Sequence, residues 1–131
     1  MQTDPLADFL TQIRNAASAS KPECLTTYSR VKSDVATVLK KEGYIEECEL
    51  TKNGSHQALK LTLKGATAGV KAIRGIRRIS KPGLRRYCGA GEIPKVLGGL
   101  GTAVLSTPKG ILSGHEAKKQ NVGGELLLYI W

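Results

Sequence analysis

The sequence holds few of the residues from which catalytic and cofactor sites are built. It has two histidines, His56 and His115, and three cysteines, Cys24, Cys48 and Cys88, in 131 residues. The cysteines are odd in number, far apart and without a C-x-x-C pair, which argues against a structural zinc site or a disulfide framework. They read as reduced, partly buried thiols, and neither metal nor cofactor is expected. Aromatic residues are as scarce. Phe9, Tyr28, Tyr44, Tyr87, Tyr129 and Trp131 are all there are, too few for a platform that stacks successive bases of a single strand. No apolar run approaches the ~20 residues of a membrane span. The start, Met-Gln-Thr-Asp-Pro, shows no basic region ahead of an apolar core, so the chain is expected to stay in the cytoplasm where it is made, away from membranes.

Acidic residues are the most telling shortage. Residues 1–64 carry 9 Lys and Arg against 8 Asp and Glu, net +1, whereas residues 65–131 carry 11 against 3, net +8 of the total +9. Between Lys71 and Arg86 lie Lys71, Arg74, Arg77, Arg78, Lys81, Arg85 and Arg86 with no acid among them. Solubility is usually served by mixed signs, so an unbalanced run of this kind points to a polyanionic partner.

The chain is long enough for two small subdomains, 1–64 and 65–131. Asp4 as N-cap, Pro5 as first helical residue and the stripe Leu6, Phe9, Leu10, Ile13, Ala17 predict a helix, with Arg14 and Asn15 near its end in reach of a phosphate. A loop or short strand around Cys24-Leu25 follows. Val31, Val35, Val38 and Leu39 then mark a second helix that stops near Gly43, its first turn carrying Ser29, Arg30 and Lys32 as a secondary polyanion contact. Tyr44–Thr51 and Gln57–Lys64 read as a hairpin about Lys52-Asn53-Gly54-Ser55. The order is αβαββ or ααββ.

Gly65-Ala-Thr-Ala-Gly69 reads as the link between halves. Val70–Ser80 and Leu84–Cys88 read as basic strands flanking Lys81-Pro82-Gly83, and Tyr87 can either stack on a base or pack its ring under the sheet. Pro94 to Leu97 suggests a short helix ending at Gly98-Gly99. Ser113-Gly-His-Glu116 has the capping-box pattern of a brief helix carrying Lys118 and Lys119. Leu126–Trp131 reads as a buried terminal strand. The fold class is therefore α+β: N-terminal helices on a short sheet, then a C-terminal antiparallel sheet with short helices.

Between these elements, the run Gly101–Leu112 breaks from a strand into Ser106-Thr107-Pro108-Lys109-Gly110 and turns apolar again. Two hydroxyls, a cation and an exposed backbone make an anion-binding turn. A nucleotide-dependent enzyme that cradles phosphate there is one reading. It lacks support, since no Walker motif occurs, His115 is the only nearby histidine, and Glu92, Glu116 and Glu125 are scattered. Recognition of a folded RNA uses the residues actually present.

The motifs carry a further indication. Gly101-x-x-Val104-Leu105-Ser106-Thr107-x-x-Gly110-Ile111-Leu112, then Ala117-Lys118 and Val122-Gly123-Gly124-Glu125, resemble the C-terminal signature of bacterial small-subunit ribosomal protein eight, the S-eight family. Thr3–Asp8, Ile13-Arg14-Asn15, Glu42–Ile45 and Arg78–Gly83 match further family motifs. The resemblance implies no enzyme but a structural constituent of the small ribosomal subunit, a primary binder of the central domain of its ribosomal RNA that aids assembly. It implies main RNA contacts at Ser106, Thr107, Lys109, Gly110, Gly124 and Glu125 with Tyr87 in support, beside the basic surface of Arg77, Arg78, Lys81, Arg85 and Arg86. A weaker N-terminal set is Thr3, Asp4, Arg14, Asn15, Ser29, Arg30 and Lys32. Ribosomal protein five as a neighbour, and repression of its own operon through the messenger RNA, are implied in the same way. Two positions depart from the family. Pro108 replaces a third hydroxyl of the turn, and Tyr28-Ser29-Arg30 stands where the family more often has a proline, a small residue, Ser and Lys.

Overall fold

A computed structural model describes residues 4–63 and 73–131. The expected link at 65–69 lies outside them, as do Thr3 and the first residues of the basic run. The chain divides into two compact units, Pro5–Arg74 and Gly75–Trp131, with Asp4 belonging to the second.

In the first unit the order is αβαββ: α1 (Pro5–Ser18), β1 (Glu23–Thr27), α2 (Arg30–Lys41), β2 (Ile45–Asn53) and β3 (His56–Leu63). The strands form an antiparallel sheet in the order β1-β3-β2, and α1 packs on β1 while α2 packs on β2. Pro5 opens α1 as expected, because its missing N–H is one that a first turn leaves unpaired anyway. Leu6, Phe9, Leu10 and Ile13 are buried, but Ala16 completes the stripe in place of Ala17, the buried face leaning toward the Phe9 side. In α2 the difference is larger. Val31, expected inside, is 47% exposed, and Lys32 takes a buried place with Val35, Ala36, Val38 and Leu39. The lysine stem is apolar enough to lie there once its ammonium finds acceptors.

In the second unit β4 (Ile76–Arg78), β5 (Tyr87–Cys88), β6 (Thr102–Thr107), β7 (Gly110–Ser113) and β8 (Gly124–Ile130) form one antiparallel sheet in the order β4-β8-β6-β7. The fold is α+β, as the patterning predicts. The two basic segments do not pair as a hairpin beyond one bridge between Lys81 and Leu84. Both pair instead with β8, one after the other: Ile76 to Arg78 with Ile130 to Leu128, then Tyr87 and Cys88 with Glu125 and Gly124. An apolar strand such as β8 needs partners on both edges, and the segments around 81–85 supply one edge with a loop interrupting it.

The short helix expected from Pro94 is a 3-10 turn, Val96–Gly99, in which Leu97 and Gly98 take left-handed φ of 49° and 66°. Ser113 caps the brief helix as expected: its Oγ accepts from the Glu116 amide at 3.1 Å and opens α3 (Gly114–Lys119). Leu105 and Leu126 lie in a core with Val96 and Ala103, against which Ile79, Cys88, Tyr129 and Trp131 pack.

Candidate nucleic-acid interface

The Ser-Thr-Pro-Lys-Gly stretch is the tight connection between β6 and β7. Thr107 pairs with Gly110 across it, leaving Pro108 and Lys109 at the corner. Proline suits the first corner position because its ring presets φ. The Thr107 hydroxyl closes the turn from inside: it donates to Gly110 O at 2.7 Å and accepts from the Lys109 amide at 3.1 Å. Its proton is thus committed, and an incoming ligand finds only an acceptor there. Gly110 has φ of 110°, and a Cβ on it would meet nothing within 4 Å, so the backbone is open to close approach. Lys109 is exposed.

Strand pairing carries this turn into a wider surface. Ser106 on β6 pairs with Glu125 on β8, and Glu125 pairs with Tyr87 on β5. Side chains of directly opposed residues lie on one face, so a hydroxyl, a carboxylate and a phenol stand in a row beside the turn. Among the described residues the Ser106 hydroxyl makes no hydrogen bond, and it remains free to donate. Tyr87 is 70% exposed, which answers its open alternative: the ring is on the surface and not under the sheet. Gly124 has a steric role. A Cβ there would collide with the carbonyl of Ser106, so the glycine lets β8 close on β6.

Glu125 is the electrostatic centre of the row. Its carboxylate accepts from Ser80 Oγ and, at 3.0 Å, from Arg85 Nη1. Burial pushes the carboxyl up, but the bonds from Ser80 and Arg85, with the charges of Arg85 and Arg78, outweigh it and hold the group below the ordinary carboxylate range. Ser80, fully buried, also accepts from the Arg86 amide at 3.1 Å. It therefore ties both ends of the Lys81–Arg85 excursion to β8. No sequence argument assigned Ser80 a role, although a small hydroxyl directly before Lys-Pro-Gly in a basic run was the available signal.

The basic residues do not act as one patch. Arg78 is mostly buried, bonded through Nε to Asp4 at 3.2 Å and through Nη1 to Leu127 O at 2.7 Å, so it is a structural tie within the unit. Arg85 is spoken for in part by Glu125. Arg77, Lys81 and Arg86 are exposed.

The family described as Ribosomal protein S8 matches residues 4–131. The chain belongs to the ribosomal protein S8 family. Proteins named small ribosomal subunit protein uS8 are similar over nearly their full lengths. The one from Moorella thermoacetica is 52% identical over 129 residues, 98% of this chain and 99% of that one. Those from Lactobacillus delbrueckii subsp. bulgaricus and an Exiguobacterium species are 48% and 47% identical over 129 and 131 residues, covering at least 98% of each chain. This is the family that the motifs resemble, and membership in a family of structural ribosomal proteins bears out the reading of a chain that is not an enzyme.

In this S8-family chain the N-terminal candidates fall on two helices. Arg14 and Asn15 are exposed on α1. Ser29 caps α2, its Oγ accepting from the Lys32 amide at 3.2 Å, and Arg30 is exposed beside it. Lys32 points the other way. It is 7% exposed, its Nζ donates to Thr26 Oγ1, Thr27 Oγ1 and Thr27 O at 3.3, 3.1 and 3.4 Å, and it lies 6.0 Å from the centre of the Phe9 ring. A phosphate would have to draw it out of those bonds. Asp4 is joined to Arg78, and Thr3 lies outside the described residues. Among the described residues no helix is long and apolar enough to cross a membrane.

Proposed function

We propose that this chain is a constituent of the small ribosomal subunit in the cytoplasmic ribosome, where it binds the central domain of the ribosomal RNA early and supports its assembly. The observation that carries the reading is the row of Ser106, Glu125 and Tyr87 beside the Thr107–Gly110 turn. It offers a free hydroxyl donor, a fixed carboxylate acceptor, an exposed aromatic ring and an open backbone on a net-basic unit. That combination suits a shaped RNA backbone with 2′-hydroxyls and an unstacked base better than a uniform polyanion, since a carboxylate repels phosphate but accepts from hydroxyl and amino groups. Lys109, exposed at the corner of the turn, supplies the salt-dependent part. Arg14, Asn15, Ser29 and Arg30 form a weaker second contact. Ribosomal protein five is the neighbour to look for in the subunit, and a messenger segment folded like the ribosomal target meets the same surface, by which the chain represses its own operon.

The test is a mobility-shift titration of the full chain with a helical fragment of central-domain ribosomal RNA. Ser106→Ala should weaken binding about fivefold, the scale of one net hydrogen bond of about 1 kcal/mol. Thr107→Ala should lose more, because the turn also loses its closing bonds, and Thr107→Ser should restore most of it. Wild-type affinity in both alanine variants refutes the assignment of this surface.

A further inference from the structure

Strand pairing, with a register shift in β8 opposite Val104 and Leu105, divides the basic run between the two faces of the C-terminal sheet. Tyr87, Glu125 and Ser106 share one face with the β6–β7 turn at its edge. Arg77 pairs with Tyr129, and Tyr129, Ile79 and Cys88 pack on the Leu105–Leu126 core, which marks the other face. There a cleft of about 510 Å³ opens, lined among others by Arg77, Lys81, Arg86, Tyr129, Leu126 and Pro94, with Glu92 its one acidic residue. Among the described residues, none of the three cations pairs with a carboxylate. Three unneutralised cations lining one cleft with a phenol ring and apolar side chains are suited to a nucleotide, the guanidiniums binding phosphate oxygens in pairs and the ring offering a face to a base. Tyr87 also lines the cleft. An RNA strand lying along the first face can therefore turn around the β5 edge into the second. An acidic peptide matches the cations but makes no use of the aromatic rings that line the cleft.

We propose that this cleft is a second RNA site, binding a single-stranded segment through Arg77, Lys81 and Arg86, on the face opposite the Ser106 row. The inference rests on the RNA-binding reading above. Its test uses the full chain and two probes, a fluorescent octauridylate followed by anisotropy and a blunt helical fragment of central-domain ribosomal RNA. For the octamer, the double variant Arg77→Gln/Arg86→Gln should bind roughly tenfold more weakly, and the slope of log affinity against log salt should fall by about 1.4, about 0.7 for each lost phosphate contact. Ser106→Ala should leave octamer binding unchanged, and Glu92→Gln should strengthen it a few-fold by removing the opposing charge. Octamer binding that ignores the double variant, that falls as far in Ser106→Ala, or that an octaglutamate peptide displaces at equal concentration overturns the proposal. A chain that binds the helical fragment through Ser106 but not the octamer overturns this inference alone. A chain that binds neither overturns the RNA-binding reading as well.

Discussion

Replacing Ser80 by alanine should destabilise the C-terminal sheet far more than the loss of one oxygen from a loop base suggests. The side chain is 0% exposed, and its hydroxyl works twice, donating to the Glu125 carboxylate and accepting from the Arg86 amide. Alanine leaves both partners short. A hydrogen bond to a charged group contributes about 1.5–3 kcal/mol and one between neutral groups about 0.5–1.5, so the expected loss near neutral pH is about 2–4.5 kcal/mol. Protonation supplies an internal control. The Glu125 carboxyl is depressed in the folded chain, its bonds from Ser80 and Arg85 overcoming burial. A group depressed in this way contributes stability above its unfolded pKa of about 4.3, and that contribution is lost as the pH falls through the folded value. The difference between wild type and Ser80→Ala should therefore be greatest near pH 7 and shrink to about 1 kcal/mol in strong acid, where the bond from the Arg86 amide is the part that survives unchanged. Trp131, the only tryptophan, packs on the core of the same unit. Its fluorescence in urea titrations at the two pH values reports this unit directly. A loss below about 0.5 kcal/mol near pH 7, or a loss of the same size in acid, refutes the reasoning.

Three other outcomes follow from the geometry. Lys32→Ala should lower the stability of the first unit by about 1–3 kcal/mol, since Thr26 and Thr27 lose their donor, yet leave affinity for the ribosomal RNA fragment unchanged; urea melts followed by circular dichroism and the mobility shift check the two halves, and intact stability with lost binding reverses the assignment. Burial raises the thiol pKa of Cys24, Cys48 and Cys88, so all three stay protonated near pH 7 and should react with iodoacetamide more slowly than free cysteine, Cys24 slowest of all. Peptide mapping of the alkylated chain measures this, and fast labelling of Cys24 contradicts its burial. Gly124→Ala should lower the melting temperature and RNA affinity together, because the methyl group meets the Ser106 carbonyl and pushes β8 from β6; an unchanged melting temperature with weakened binding assigns Gly124 to direct contact instead.

Much of the fold was legible where one periodicity ruled. The α1 stripe as far as Ile13, the Leu59–Leu63 alternation and the Ser113 N-cap each depend on residues near in sequence, and each forms. Val31 and Lys32 exchange the places that polarity alone assigns them. Lysine carries an apolar stem, and the acceptors that let it turn inward, Thr26 and Thr27, are on another element. The basic segments misled for a related reason. Local pattern suggests that strands flanking Lys-Pro-Gly pair with each other, but β8, some forty residues later, offers both a better partner. The turn at Thr107–Gly110 could be placed from sequence because its residue types dictate it, whereas the Ser80–Glu125–Arg85 tie joins positions far apart in the chain, and no local spacing announces it.

Pro108 can now be weighed by what the turn does before any ligand arrives. A third hydroxyl at this corner would add a donor, and proline removes both that donor and the backbone N–H. Against this, the ring fixes one corner torsion, Thr107 spans the turn with two hydrogen bonds, and Gly110 accepts the left-handed backbone that the return into β7 requires. A turn already held in one conformation loses less entropy when a ligand orders it, and ordering a side chain alone amounts to about 0.5–1.5 kcal/mol. That is the same size as the hydrogen bond forgone. The substitution therefore exchanges a contact for rigidity at nearly constant affinity. Pro108→Ser should leave the strength of RNA binding almost unchanged while making its enthalpy more favourable and its entropy less so, a pattern that calorimetry resolves; a large gain in affinity would mean that the missing hydroxyl outweighs the preformed turn.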